Sequence, residues 1–161
     1  MITPLINIQD VRDLVGLSYN VEETDYNQYI ITAQLKQLRE LIGGDCTKGL
    51  EDRKCSNTLT DADKALLEFI KPYLVHYSYS MYVNPSTLHS TNEGVVKFSG
   101  DNITQPTNTE KKNPKQFNEF TAESYGKLAI ELIESNPDDY TCYDCSDCCE
   151  TSKTGISIFD I

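Results

Sequence analysis

A chain of 161 residues with 39% hydrophobic content can bury one ordinary core and leaves little material for a second. Fourteen Lys and Arg stand against 25 Asp and Glu, a formal net charge of −11, which argues against a protein whose main work is gripping nucleic-acid phosphates. The start, Met1-Ile2-Thr3-Pro4-Leu5-Ile6, lacks the basic residues and long apolar run of a secretory signal, and no stretch approaches the length of a membrane span. A soluble chain made in the cytosol is expected, with no membrane contact.

In chain order, Val11, Leu14 and Val15 share one side of a short helix closed by Gly16. A longer helix is expected from Glu22 or Glu23 to Ile42, where Ile31, Leu35, Leu38 and Ile42 form one apolar stripe. Acids at its start and Lys36 and Arg39 later suit the helix dipole. Gly43-Gly44 ends it, and Cys46 to Asn57 reads as a connector with at most one helical turn. Thr60 or Asp61 caps the next helix, whose Leu66, Phe69, Ile70, Tyr73, Leu74, Tyr77 and Met81 make a broad apolar and aromatic face. Pro72 inside that pattern predicts a kink.

After Asn84-Pro85 the period changes, and Ser86 to Thr91 with Val95 to Ser99 read as two strands around Asn92-Glu93-Gly94, a small hairpin near 86–99. One hairpin is not stable alone and needs the bundle or a neighbouring subunit to lie on. Residues 101–113 read as a loop before a last helix from about Pro114 to Glu134, with Phe117, Phe120, Leu128 and Leu132 on its buried side. Asn136-Pro137 stops that helix. The fold class expected is therefore mainly α: a bundle of three to four helices over residues 1–136 with a hairpin insertion, and an extended Cys-rich acidic tail over 137–161. The core should hold Leu35, Leu38, Leu66, Phe69, Ile70, Leu74 and Leu128.

The sharpest chemical signal is Cys142-x2-Cys145-x2-Cys148-Cys149, since thiolates held close by short spacers can enclose a soft metal ion. Adjacent cysteines rarely both face one ion, so Cys46, Cys55 or a histidine would supply a further ligand to a structural zinc. The same thiols also read as free or late-oxidised cysteines of a surface tail, and no cofactor is required by the rest of the sequence. His76 and His89 are the only bases available to a cysteine nucleophile. His76 lies on the aromatic helix, where a packing role is the ordinary one, and no nucleophile signature surrounds any cysteine. Acid pairs such as Glu22-Glu23 and Asp138-Asp139 read as solvated carboxylates, and Gly43-Gly44 lacks the context of a phosphate loop. The ten tyrosines are interleaved with aliphatics, as packing residues are. No enzymatic activity is expected.

The order of segments Pro4 to Val11, Tyr29 to Leu35 with Leu38 to Gly44, Ala62 to Tyr82, and Thr91-Asn92-Glu93-Gly94-Val95-Val96 resembles the small head–tail connector (adaptor, or neck ring) proteins of tailed bacteriophages, particularly those of Bacteroidetes phages including the crAss-like group. The resemblance spans roughly the first hundred residues. It implies a virion protein assembled in the host cytoplasm. Such a subunit forms a ring of copies of itself, commonly twelvefold, beneath the portal protein and against adjacent neck or tail proteins. Viral DNA would pass through the ring without specific binding, which an acidic wall favours. The cysteine-rich end is outside that pattern. Two segments are expected to touch neighbours: the hairpin at Gly94, Val95 and Val96, and the apolar end at Ile156, Ile158 and Phe159, which has too little apolar company in its own tail.

Overall fold

The structure is a computed structural model that describes residues 2–86, 89–91, 94–99, 102–104 and 108–143, between 84 and 113 as backbone alone. It is mainly helical. Helix α1, Ile8–Val15, opens on a reciprocal cap in which Asn7 Oδ1 accepts from the backbone of Gln9 (2.8 Å) and Asp10 (3.0 Å), and Asp10 returns a carboxylate to Asn7 N–H (2.8 Å). It closes at Gly16, whose φ of 69° is the left-handed conformation that glycine adopts without a Cβ clash.

The expected second helix is one rod in three parts: α2 (Glu23–Ala33), a π turn (Gln34–Leu38) and α3 (Arg39–Ile42). Its buried line is Tyr26, Ile30, Gln34, Leu38 and Ile42, spaced by fours. At 3.6 residues per turn such a line drifts about 40° at each step. The wider π turn takes up the drift and keeps Leu38 and Ile42 on the core side. Ile31 and Leu35 of the expected stripe are half-buried beside this line.

Gln34 is fully buried, and its amide is satisfied on both ends. Oε1 accepts from Leu5 N–H (2.8 Å), while Nε2 donates to Thr3 O (2.9 Å) and to Glu51 Oε1 (2.8 Å). A buried amide with every bond made pins the N-terminal residues to the bundle. Lys54 adds to this by donating from Nζ to the carbonyls of Pro4 (2.9 Å) and Leu5 (2.8 Å). Its pKa is lowered, first by burial and then by Lys71, against the pull of Asp10.

Residues 46–57 are not a connector. Helix α4 occupies Gly44–Cys55 and buries Cys46, Thr47, Leu50 and Glu51 on one face. Two internal residues of low helix propensity, Thr47 and Gly49, masked it; packing of that face, not propensity, holds the helix.

Helix α5, Asp61–Ser86, is central and continues through Pro72 without a break. It pairs antiparallel with α6, Asn108–Ser135, so that Tyr73 meets Gly126 while His76 meets Asn118. The last helix thus begins six residues before the expected Pro114, inside the segment read as a loop. Between α5 and α6 the backbone runs through short strands β1 (His89–Thr91), β2 (Gly94–Ser99) and β3 (Asn102–Thr104), antiparallel in that order.

The buried side of α6 differs from the expected one. Phe117 and Phe120 are 66% and 70% exposed and Leu128 is 42% exposed, whereas Asn118, Ala122, Ala129 and Ile133 are buried. The reason is close helix approach: a Cβ at Gly126 would sit 3.0 Å from Tyr73 Cε2, so α6 turns its small residues toward the large aromatic side chains of α5. Of the expected core, Leu38, Leu66, Ile70 and Leu74 are buried, Leu35 and Phe69 are half-buried, and Leu128 is a correction.

Candidate interaction surface

The chain stays with the bundle after α6. Tyr140 is buried and donates its hydroxyl to Ala62 O (2.9 Å), and Cys142 is joined to Cys46 of α4 as a disulfide with Cα atoms 5.2 Å apart. Around this staple lie Leu50, Leu66 and Ile133 with the ion pair of Arg53 and Asp63. That pair is bidentate: Nε and Nη2 of Arg53 donate to the two Asp63 oxygens, each at 2.7 Å. Asp63 also caps α5, accepting from Thr60 N–H (2.9 Å), and its own N–H donates to Thr60 Oγ1 (3.1 Å). Burial pushes the Asp63 carboxyl up, but the bonds from Arg53 and Thr60 outweigh it and hold the pKa below the ordinary value.

A depressed carboxylate contributes stability above its unfolded pKa and loses it as pH falls through the folded one. Asp63→Asn is therefore expected to destabilise the fold at neutral pH by about 1.5–3 kcal/mol, the range for hydrogen bonds to charged groups. The lower half of that range applies because the Arg53 side chain is 38% exposed and partly screened by water. Urea midpoints of the two proteins should converge in acid; a gap that persists unchanged there would mean the charge is not the cause.

Of the sequence-predicted site residues, Cys46 and Cys142 are brought together, and as an oxidised pair they offer no thiolate to a metal. Cys55 is a free, exposed thiol at the end of α4. Cys145, Cys148 and Cys149 lie outside the described residues, as do Ile156, Ile158 and Phe159. Among the described residues no cluster of three or more metal-ligating side chains occurs. Gly94, Val95 and Val96 stand on β2 opposite Thr91, Ser90 and His89. His76 Nδ1 lies 2.8 Å from Asn118 Oδ1, and the Asn118 amide group donates to Pro114 O (2.7 Å), so the histidine carries its proton on Nδ1. Its ring stacks on Tyr125 at 6.0 Å, a satisfied packing position.

The aromatic residues are mostly spent on packing. Tyr26, Tyr29, Tyr79 and Tyr82 form a chain of ring contacts between α2 and α5. Tyr26 also meets Ser78 Oγ (3.2 Å), and burial raises its pKa. Tyr73 donates to Gln37 O (3.0 Å), and burial raises its pKa first, with Tyr77, Glu40 and Glu123 adding to the effect.

Two features face outward instead. One is the apolar side of α6 at Phe117, Phe120 and Leu128. The other is a cleft of about 700 Å³ along α5, lined by Leu14 of α1, Leu59, Leu67, Pro72 and Val75, and Tyr125 of α6. Asp10, Asp13, Glu68, Lys64 and Lys71 rim it. The sequence reading missed this cleft because its walls come from three separated helices; Leu14, 49% exposed at the end of an otherwise buried stripe, is the residue that signals it.

No helix among the described residues is long and apolar enough to cross a membrane. No curated protein and no solved structure matches the chain. Residues 38–153, from the π turn through the pair Cys46–Cys142 and beyond, match the profile of a family of unknown function (DUF6712), and the chain belongs to that family.

Proposed function

We propose that the protein is a non-enzymatic structural subunit that assembles into a ring in the head–tail connector of a tailed phage, beneath the portal, and continues the DNA channel into the tail. The observation that carries the assembly reading is the outward apolar side of α6: two phenylalanines more than 60% exposed on a helix whose opposite side is tightly packed suggest a surface made for protein contact. The connector role rests on the resemblance of the first hundred residues, and the net charge of −11 suits a wall past which DNA slides. On this reading a β-hairpin carrying Gly94, Val95 and Val96 offers backbone edges to the next subunit, and the Cys-rich tail tethers the apolar end at Ile156, Ile158 and Phe159.

A second reading, a small zinc-binding interaction module, is favoured by one observation: Cys142 of the tail cluster lies beside Cys46, so reduction would place two thiolates together near three more in sequence. Native mass measurement with metal analysis separates the two. The connector reading expects a metal-free ring, near twelve times the 18.2 kDa chain mass. A monomer holding stoichiometric zinc would replace it with the module.

A further inference from the structure

We infer that the cleft between α1 and α6 receives the segment Ile156–Ile161 of a second copy, joining subunits head to tail. This rests on the ring reading and names the contact it leaves open.

The cleft is apolar where a peptide would lie and charged at its rim. Its apolar lining is Leu14, Leu59, Leu67, Pro72, Val75 and Tyr125. Leu128 stands three residues beyond Tyr125, on the same side of α6, and is 42% exposed, so the apolar wall continues outward. The rim carries Asp10, Asp13 and Glu68 beside Lys64, which is paired with Asp61 (2.8 Å), and Lys71, which forms no ion pair among the described residues and is the cation open to an incoming acid.

The chain supplies a matching occupant. Ile156-Ser157-Ile158-Phe159-Asp160-Ile161 carries four large apolar side chains and one acid, Asp160, to answer Lys71. The segment is tied to a body of its own at Cys142, and the described chain ends at Tyr143. The twelve residues 144–155 can span about 40 Å when extended, comparable to the whole length of α5, about 39 Å for its 26 residues. The segment can therefore leave its own body and reach the neighbour. Donor segment and acceptor cleft are different surfaces, so the contact is heterologous, the kind whose repetition makes a ring when the rotation between subunits closes.

The test uses three full-length preparations, wild type and two cleft variants, with one truncated chain and one mixture. Leu14→Glu blocks the cleft at a half-exposed position and keeps the segment; a chain lacking 155–161 keeps the cleft and loses the segment. Lys71→Glu serves as a second cleft variant on the rim. Wild type should assemble, and each variant alone should fall to monomer with its helical circular dichroism intact. Mixing Leu14→Glu with the truncated chain should restore one-to-one dimers that grow no further, since one partner brings only a segment and the other only a cleft. Assembly of either variant alone, or an assembled wild type with no dimer in the mixture, overturns the inference and leaves the ring reading standing. A monomeric wild type defeats both. Binding of a synthetic 153–161 peptide to the truncated chain, with the mixture still monomeric, assigns the cleft to the chain's own segment and overturns the exchange between copies.

Discussion

Cys142→Ser is expected to lower the unfolding free energy of the oxidised protein by about 2–5 kcal/mol. The bond joins residues 96 apart in sequence. In the chain-entropy description, closing a loop of about 100 residues removes about 4.7 kcal/mol of freedom from the unfolded chain, the upper end of the range. The packed surroundings add to the loss: Tyr140 is buried two residues before the bond and donates to Ala62 O, so releasing Cys142 loosens that contact as well. The measurement is a pair of denaturant titrations, with and without a thiol reductant. Wild type and variant should differ under oxidising conditions and coincide once the thiols are reduced. An oxidised variant as stable as wild type would show that the bond contributes nothing to the stability of the fold.

Leu74→Ala should cost about 2–5 kcal/mol, and Leu128→Ala less than about 1 kcal/mol on the isolated subunit. Both leucines sit on long helices and both belong to apolar stripes in the sequence. Leu74 is fully buried at the centre of α5, where truncation removes transfer free energy and leaves a cavity. Leu128 is 42% exposed on the outer side of α6 and leaves no cavity. Phe69, half-buried, should fall between them. Thermal or urea unfolding of the monomeric chain reads all three. Equal losses at 74 and 128 would restore the sequence phasing of α6 and contradict the packing of Gly126 on Tyr73.

Much of the fold was legible in the sequence. Gly16, Gly43 and Thr60 mark helix ends by backbone freedom and local hydrogen bonding, and the ends fall at or within a residue or two of those positions, whereas the reciprocal cap of Asn7 and Asp10 was not read from the sequence. Leu66, Ile70 and Leu74 are buried as their spacing implies, because α5 is apolar on so wide a face that any neighbour must cover it. Three matters were decided only by tertiary structure. Helix α4 forms because Cys46, Leu50 and Glu51 find partners on other elements, which no propensity scale registers. The phase of α6 follows from how closely a glycine and two alanines let it approach α5, so size outweighed hydrophobicity and left Phe117 and Phe120 outside. The cysteine cluster suggested a metal site to which Cys46, Cys55 or a histidine would add a ligand; the structure instead joins Cys142 to Cys46 as a disulfide, a pairing that only the return of the chain over α5 selects. Local sequence sets where helices start and stop; which of their faces meet is a property of all of them packed together.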